Sequence, residues 1–123
     1  MPDKHAAKHA SHSPGGSRQA VTVTFAEEQT VKSADAARAE LLAAIGGDGQ
    51  VRVDLTDATA ADTGFLQVLI AACRAACLRG RPLTVVGIEG GPVPALMVGL
   101  GLIASEQQAP RYFEDLATAE RAA

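Results

Sequence analysis

A chain of 123 residues with 47% apolar side chains carries material for one domain around one modest core. Aromatic residues make up 3% and Trp is absent, so that core is aliphatic and lacks the rings that anchor sugars or stack on bases. The formal charge of −3 divides into +2 over residues 1–18 and −5 over the rest, a poor match for nucleic-acid phosphates or an anionic membrane surface.

The first 19 residues, MPDKHAAKHASHSPGGSRQ, are polar and rich in Ser, Gly and His. They cannot bury enough apolar area to order themselves and read as a flexible tail, with residues 20–123 as a single domain. His5, His9 and His12 are solvated tail residues on this reading rather than metal ligands. No apolar segment there resembles a signal peptide, and none elsewhere reaches the roughly 18 residues needed to span a bilayer. Two cysteines imply no disulfide framework, which favours a reducing cytoplasm.

Residues 20–25, AVTVTF, alternate apolar and Thr side chains and predict a strand. Residues 33–46 predict a helix, with Ala37, Leu41, Ala44 and Ile45 as its apolar stripe. Ser33 is its candidate cap, and Gly46–Gly47 its end. VRVDL at 51–55 predicts a buried strand, and TDATAA at 56–61 a loop. The long apolar run from Asp62 to Gly80 predicts the main helix. RPLTVVG at 81–87 predicts a third strand, IEGG a loop, and residues 92–102 a short helix with Pro near its start. ASEQQAP reads as loop or frayed strand, and residues 112–123 as a last amphipathic helix turning Leu116 and Phe113 inward. The alternation predicts an α/β fold: a small, largely parallel sheet of about four strands with helices packed mainly on one side.

Catalytic constellations are missing. Every His lies in the tail, so neither a Ser–His nor a Cys–His pair is available to the domain. Cys73 and Cys77 stand one helical turn apart and read as small buried side chains, not a zinc or disulfide pair. GIEGG after the third strand lacks the rest of any dinucleotide or phosphate-loop fingerprint. Glu27–Glu28, and Asp54 with Asp57, read as solvent-facing charges. No cofactor or metal is called for, and the chain reads as non-enzymatic. A receiver-like domain phosphorylated on Asp54 has the right length, but that Asp follows the second strand where a receiver needs the third. No motif supports a nucleotide or other small ligand.

One pattern remains. A strand ending in Asp54-Leu55-Thr56 is followed by Asp62-Thr63 opening a helix with Leu66 and Leu69. Gly80, the strand Leu83–Gly87, and a short helix closing in Leu96, Leu100, Gly101 and Leu102 come next. Over residues 20 to 105 this order resembles the STAS domain of bacterial anti-sigma-factor antagonists. The wording around ADTGFLQVL is closer to STAS proteins of chemotaxis clusters. The resemblance implies a signal-transducing, protein-binding module. A serine/threonine kinase that is also the anti-sigma factor would phosphorylate Thr63 and so release the domain, with transcription as the output. It further implies a docking face of Thr56, Asp57, Asp62, Thr63, Gly64 and Gln67, built from the 56–62 loop and the exposed side of the main helix. Gly64 stands where the family usually has a second hydroxyl. The alternative is a constitutive subunit of a chemosensory or transporter assembly in which Thr63 is only a helix cap. A homodimer is compatible with either.

Overall fold

The structure is a computed structural model that describes residues 20–122 except Asp48 and Pro82. The stretch expected to be a tail, 1–19, lies outside the described residues. Among the described residues, five strands and four helices follow in chain order: β1 Val21–Thr24, β2 Glu27–Gln29, α1 Val31–Ile45, β3 Val51–Asp54, β4 Ala58–Ala61, α2 Thr63–Leu78, β5 Leu83–Val86, α3 Pro92–Gly99 and α4 Ala109–Ala122. A single 3₁₀ turn, Glu106–Gln108, leads into α4.

β1, β3 and β5 form a parallel sheet in that order, with Val21, Val51 and Leu83 in one row and Val23, Val53 and Val85 in another. These rows face the helices: Val23, Val51, Val53 and Leu83 are all buried. The intervening rows carry Thr22, Arg52 and Thr84, all exposed, so the helices cover one face, as alternation in a half-buried strand requires. The expected four-stranded sheet is divided: β2 and β4 pair with each other, parallel, as a separate two-stranded unit.

Three assignments differ from the sequence reading. Residues 58–61 are strand, not loop, because β2 supplies a pairing partner that no local pattern announces. The first helix begins at Val31 and is capped by Thr30, not Ser33. Thr30 Oγ1 accepts from the Lys32 N–H at 3.3 Å, and Ser33 Oγ accepts from the Thr30 N–H at 3.1 Å. Ser33 is thus the reciprocal member of a capping box. Within 104–110, the 3₁₀ turn Glu106–Gln108 runs into α4, which starts at Ala109 rather than 112.

The core is continuous across the helical layer. Ala37, Leu41 and Ile45 of α1 meet the inner face of α2 (Phe65, Leu66, Leu69, Ala72, Cys73 and Ala76), and Met97, Ala109 and Phe113 close the far side. Phe65 is fully buried and meets Phe25 edge-on, ring centroids 5.3 Å apart. Both cysteines are buried and free, as the sequence implied. The Cys77 thiol donates to the Ala117 carbonyl at 2.9 Å, joining α2 to α4, and burial pushes the Cys73 thiol up to about 12, so Cys73 is no nucleophile at neutral pH. Phe113 is buried and Leu116 packs against the core, as the last helix's pattern predicts.

Candidate functional site

The site is built where β4 gives way to α2. Asp62 is extended, φ −117° and ψ 179°, and its carboxylate caps the helix: Oδ1 accepts from the Phe65 N–H at 3.0 Å. Its carbonyl accepts from the Leu66 N–H at 3.1 Å, closing the first turn. Its own N–H donates to the Gln29 carbonyl at 3.0 Å, which continues the β2–β4 pairing to the helix entrance. The second carboxylate oxygen reaches across the molecule, where Oδ2 accepts from the Val31 N–H at 2.8 Å. One side chain therefore serves the first turns of both α1 and α2.

Thr63 is the first residue of α2 and is exposed. Among the described residues its hydroxyl makes no hydrogen bond, so the cap is Asp62 and not Thr63. Gly64 lies under Val31; a Cβ there would sit 3.5 Å from Val31 Cβ and 3.4 Å from Asp62 Oδ1, ordinary contact that a serine would satisfy. Gln67 is exposed one turn along, on the face of Thr63. Below them a groove of about 340 Å³ runs between α1 and α2, with Arg38, Leu42, Val68, Ala71 and Ala75 among its walls.

Thr56 and Asp57 are not part of this patch. They lie at the opposite end of β4, and four extended residues put about 13 Å between the two ends. The continuous 56–62 loop expected to dock a partner is replaced by a strand with a functional candidate at each end. Asp54 Oδ1 accepts from the Thr56 hydroxyl at 2.6 Å and the Thr56 N–H at 2.9 Å. Those two donors, the hydroxyl foremost, hold the Asp54 carboxyl below the usual carboxylate range, and Arg52 assists. Asp57 is exposed, and its carbonyl accepts from the Glu27 N–H at 2.9 Å. Asp54 thus orders a turn.

Among the described residues, no group of three or more His, Cys, Asp or Glu side chains could hold a metal ion, and no helix is long and apolar enough to cross a membrane. Sequence reasoning found the residues of the α2 entrance but missed Val31, whose only acceptor among the described residues is 31 positions away.

The strand–Asp–helix arrangement is matched by a family model, described as Mlab, STAS domain, over residues 12–103. The chain belongs to the STAS domain family. Its mixed α/β architecture, with small parallel sheets and four helices, is a STAS-like fold. The match begins at residue 12, inside the stretch expected to be tail. STAS domains are protein-interaction modules and generally non-enzymatic, which fits an exposed helix entrance better than a catalytic cleft. Among curated proteins, none matches this chain.

Proposed function

We propose that this STAS domain is a regulatory module that docks a protein partner through the entrance and exposed side of α2, and that the charge state of Thr63 switches the docking. The observation that supports it is the division of labour at the entrance. Asp62 performs the capping, while Thr63 is exposed beside it with its hydroxyl unengaged among the described residues. A serine/threonine kinase partner would carry out the modification. The Thr63 hydroxyl attacks the γ-phosphorus of a nucleoside triphosphate, its proton passes to a base on the kinase, and the nucleoside diphosphate leaves. The product carries about −1.5 to −2 charges at the centre of the docking face and repels a partner that fitted a neutral hydroxyl. The partner is a kinase of the anti-sigma-factor type or a chemosensory component, and Gly64 and Gln67 complete the contact.

A second reading is a constitutive subunit of a chemosensory or transporter assembly. The proximity of Asp62 favours it, because that carboxylate opposes a second negative charge next door. Affinity capture from cells of the source organism separates the two. Wild type and Thr63→Ala retain the same partner and Thr63→Asp loses it if the switch operates, and mass mapping finds phosphate on residue 63. Equal capture by all three variants establishes the constitutive reading.

A further inference from the structure

The Asp62 carboxylate spends one oxygen on each of two helices, 3.0 Å to the Phe65 N–H of α2 and 2.8 Å to the Val31 N–H of α1. The rest of the first turn of α1 is served locally: Lys32 by the Thr30 hydroxyl and Ser33 by the Thr30 carbonyl. Among the described residues Val31 has no acceptor but Asp62. Its side chain is 68% exposed and lies over Gly64, so the start of α1 and the start of α2 share one edge. That edge closes one end of the α1–α2 groove, whose walls include Gly64 and Gln67.

From this geometry we infer that Asp62 is a positioning residue that couples Thr63 to α1, so that a negative charge placed on residue 63 loosens the first turn of α1 and moves Val31. The coupling deepens the reading of Thr63 as a regulated position and rests on it for its biological use, though not for its physics. Two helix N-termini converge on one carboxylate, and each contributes positive potential that holds it in place. Their N–H donors make charge-assisted bonds, which are shorter and stronger than neutral ones. A second anion at the first position of α2 acts on this arrangement in two ways: it competes for the positive end of α2, and it repels Asp62 directly. The α2 bond is the better protected, because Phe65 lies within the same turn and is anchored by its buried ring. The bond to Val31 spans two elements at an exposed corner, so it is the one that yields.

An edge made of two helices has a consequence for recognition. A partner seated on Thr63 and Gln67 also meets Val31, and loses that contact when α1 loosens. Charge on residue 63 then acts twice, by direct repulsion and by displacing an apolar contact that a neutral substitution at 63 would leave intact.

Amide exchange followed by NMR on the full chain tests the coupling without any partner. Asp62→Asn keeps a carbonyl oxygen for Phe65 but can no longer accept at both ends. Exchange at Val31 is expected to rise at least about tenfold while Phe65 stays protected. In Asp62→Ala both accelerate. Thr63→Glu is expected to accelerate Val31 as Asp62→Asn does, leaving Phe65 protected and Leu41 unchanged. Should the Asp62 variants fail to fold, the wild-type domain still reports. A through-hydrogen-bond coupling between the Val31 nitrogen and the Asp62 carboxylate carbon is expected, and the Val31 amide signal moves upfield in Thr63→Glu. Unchanged Val31 exchange in Asp62→Asn, or Val31 behaving as wild type in Thr63→Glu, overturns the inference. A partner captured equally by Thr63→Asp would reject the switch while leaving this coupling standing, so the two failures are distinguishable.

Discussion

Asp54 and Thr56 show how little separates a structural carboxylate from one that invites a functional reading. With its hydroxyl and amide both turned onto Asp54, Thr56 favours the ionised carboxylate in the folded chain. A carboxyl whose folded value lies below the unfolded one, about 3.9, adds stability at pH values above that unfolded value. The contribution is lost as pH falls through the folded value. Thr56→Ala should therefore melt below wild type at about pH 6, and the gap should narrow as the pH is lowered past the unfolded value of about 3.9, with Thr56→Ser tracking wild type throughout. Thermal melts across that range check it; a gap that widens on acidification would refute the assignment. Backbone conformation makes an opposite pair of positions nearby. Gly87 has φ +76°, and a Cβ there would collide with the Thr56 hydroxyl and stand 2.7 Å from the Thr56 nitrogen. Glu27 has φ +62°, and its exposed side chain makes no hydrogen bond among the described residues. Gly87→Ala should cost about 2 kcal/mol or more, whereas Glu27→Gly should gain about 0.5–1 kcal/mol, both read from urea unfolding.

Between elements, the ties that matter are made by single side chains reaching across the chain. Arg81, just before β5, donates one guanidinium nitrogen to the Ile45 carbonyl at the end of α1 and the other to the Gly49 carbonyl before β3. It fastens the far end of α1 as Asp62 fastens the near one. An ammonium cannot span two carbonyls with the fixed fork of a guanidinium, so Arg81→Lys should lose about 1–2 kcal/mol in chemical denaturation, with faster amide exchange around residues 45–51. Loss confined to the unfolding midpoint, with no local change in exchange, would show that the fork is not the cause. Such ties also mark what sequence could not supply. The Asp62 cap was legible because an acid before an apolar helical run has a local meaning, and its tie to Val31 was not, because nothing near residue 62 points to residue 31. Likewise β4 is an Ala- and Thr-rich stretch without an apolar alternation, and only its pairing with β2 makes it a strand. Ser33 looked like a cap because a capping box puts hydroxyls at both its ends, and sequence alone does not say which one starts the helix.

At the scale of the molecule, the alternation of strands and helices and the one-sided covering of the sheet were legible, since both follow from periodicity that each element carries by itself. The division of five strands into two sheets was not, because it depends on which edges meet. The same separation of local from global governs the surface. α2 carries a buried face that holds the core together and an outward face of Thr63, Gln67, Ala71, Arg74 and Leu78. That outward face contains no acidic residue, although the whole chain bears a net charge of −3. Leu78 is 71% exposed, an apolar side chain that contributes nothing to the core. Stability and recognition should therefore be separable along one helix. Phe65→Ala removes a fully buried ring and should cost about 3–5 kcal/mol. Ala71→Glu adds a charge in solvent, three residues before Arg74, and should change stability by no more than about 0.5 kcal/mol. If α2 docks a partner, the same Ala71→Glu should weaken its capture at least about tenfold, because the contact would have to desolvate a bulky carboxylate where a methyl group stood. Should Ala71→Glu fold, melt like wild type and still retain the partner, the docking face must lie on another element, and the exposed side of α2 is merely solvated.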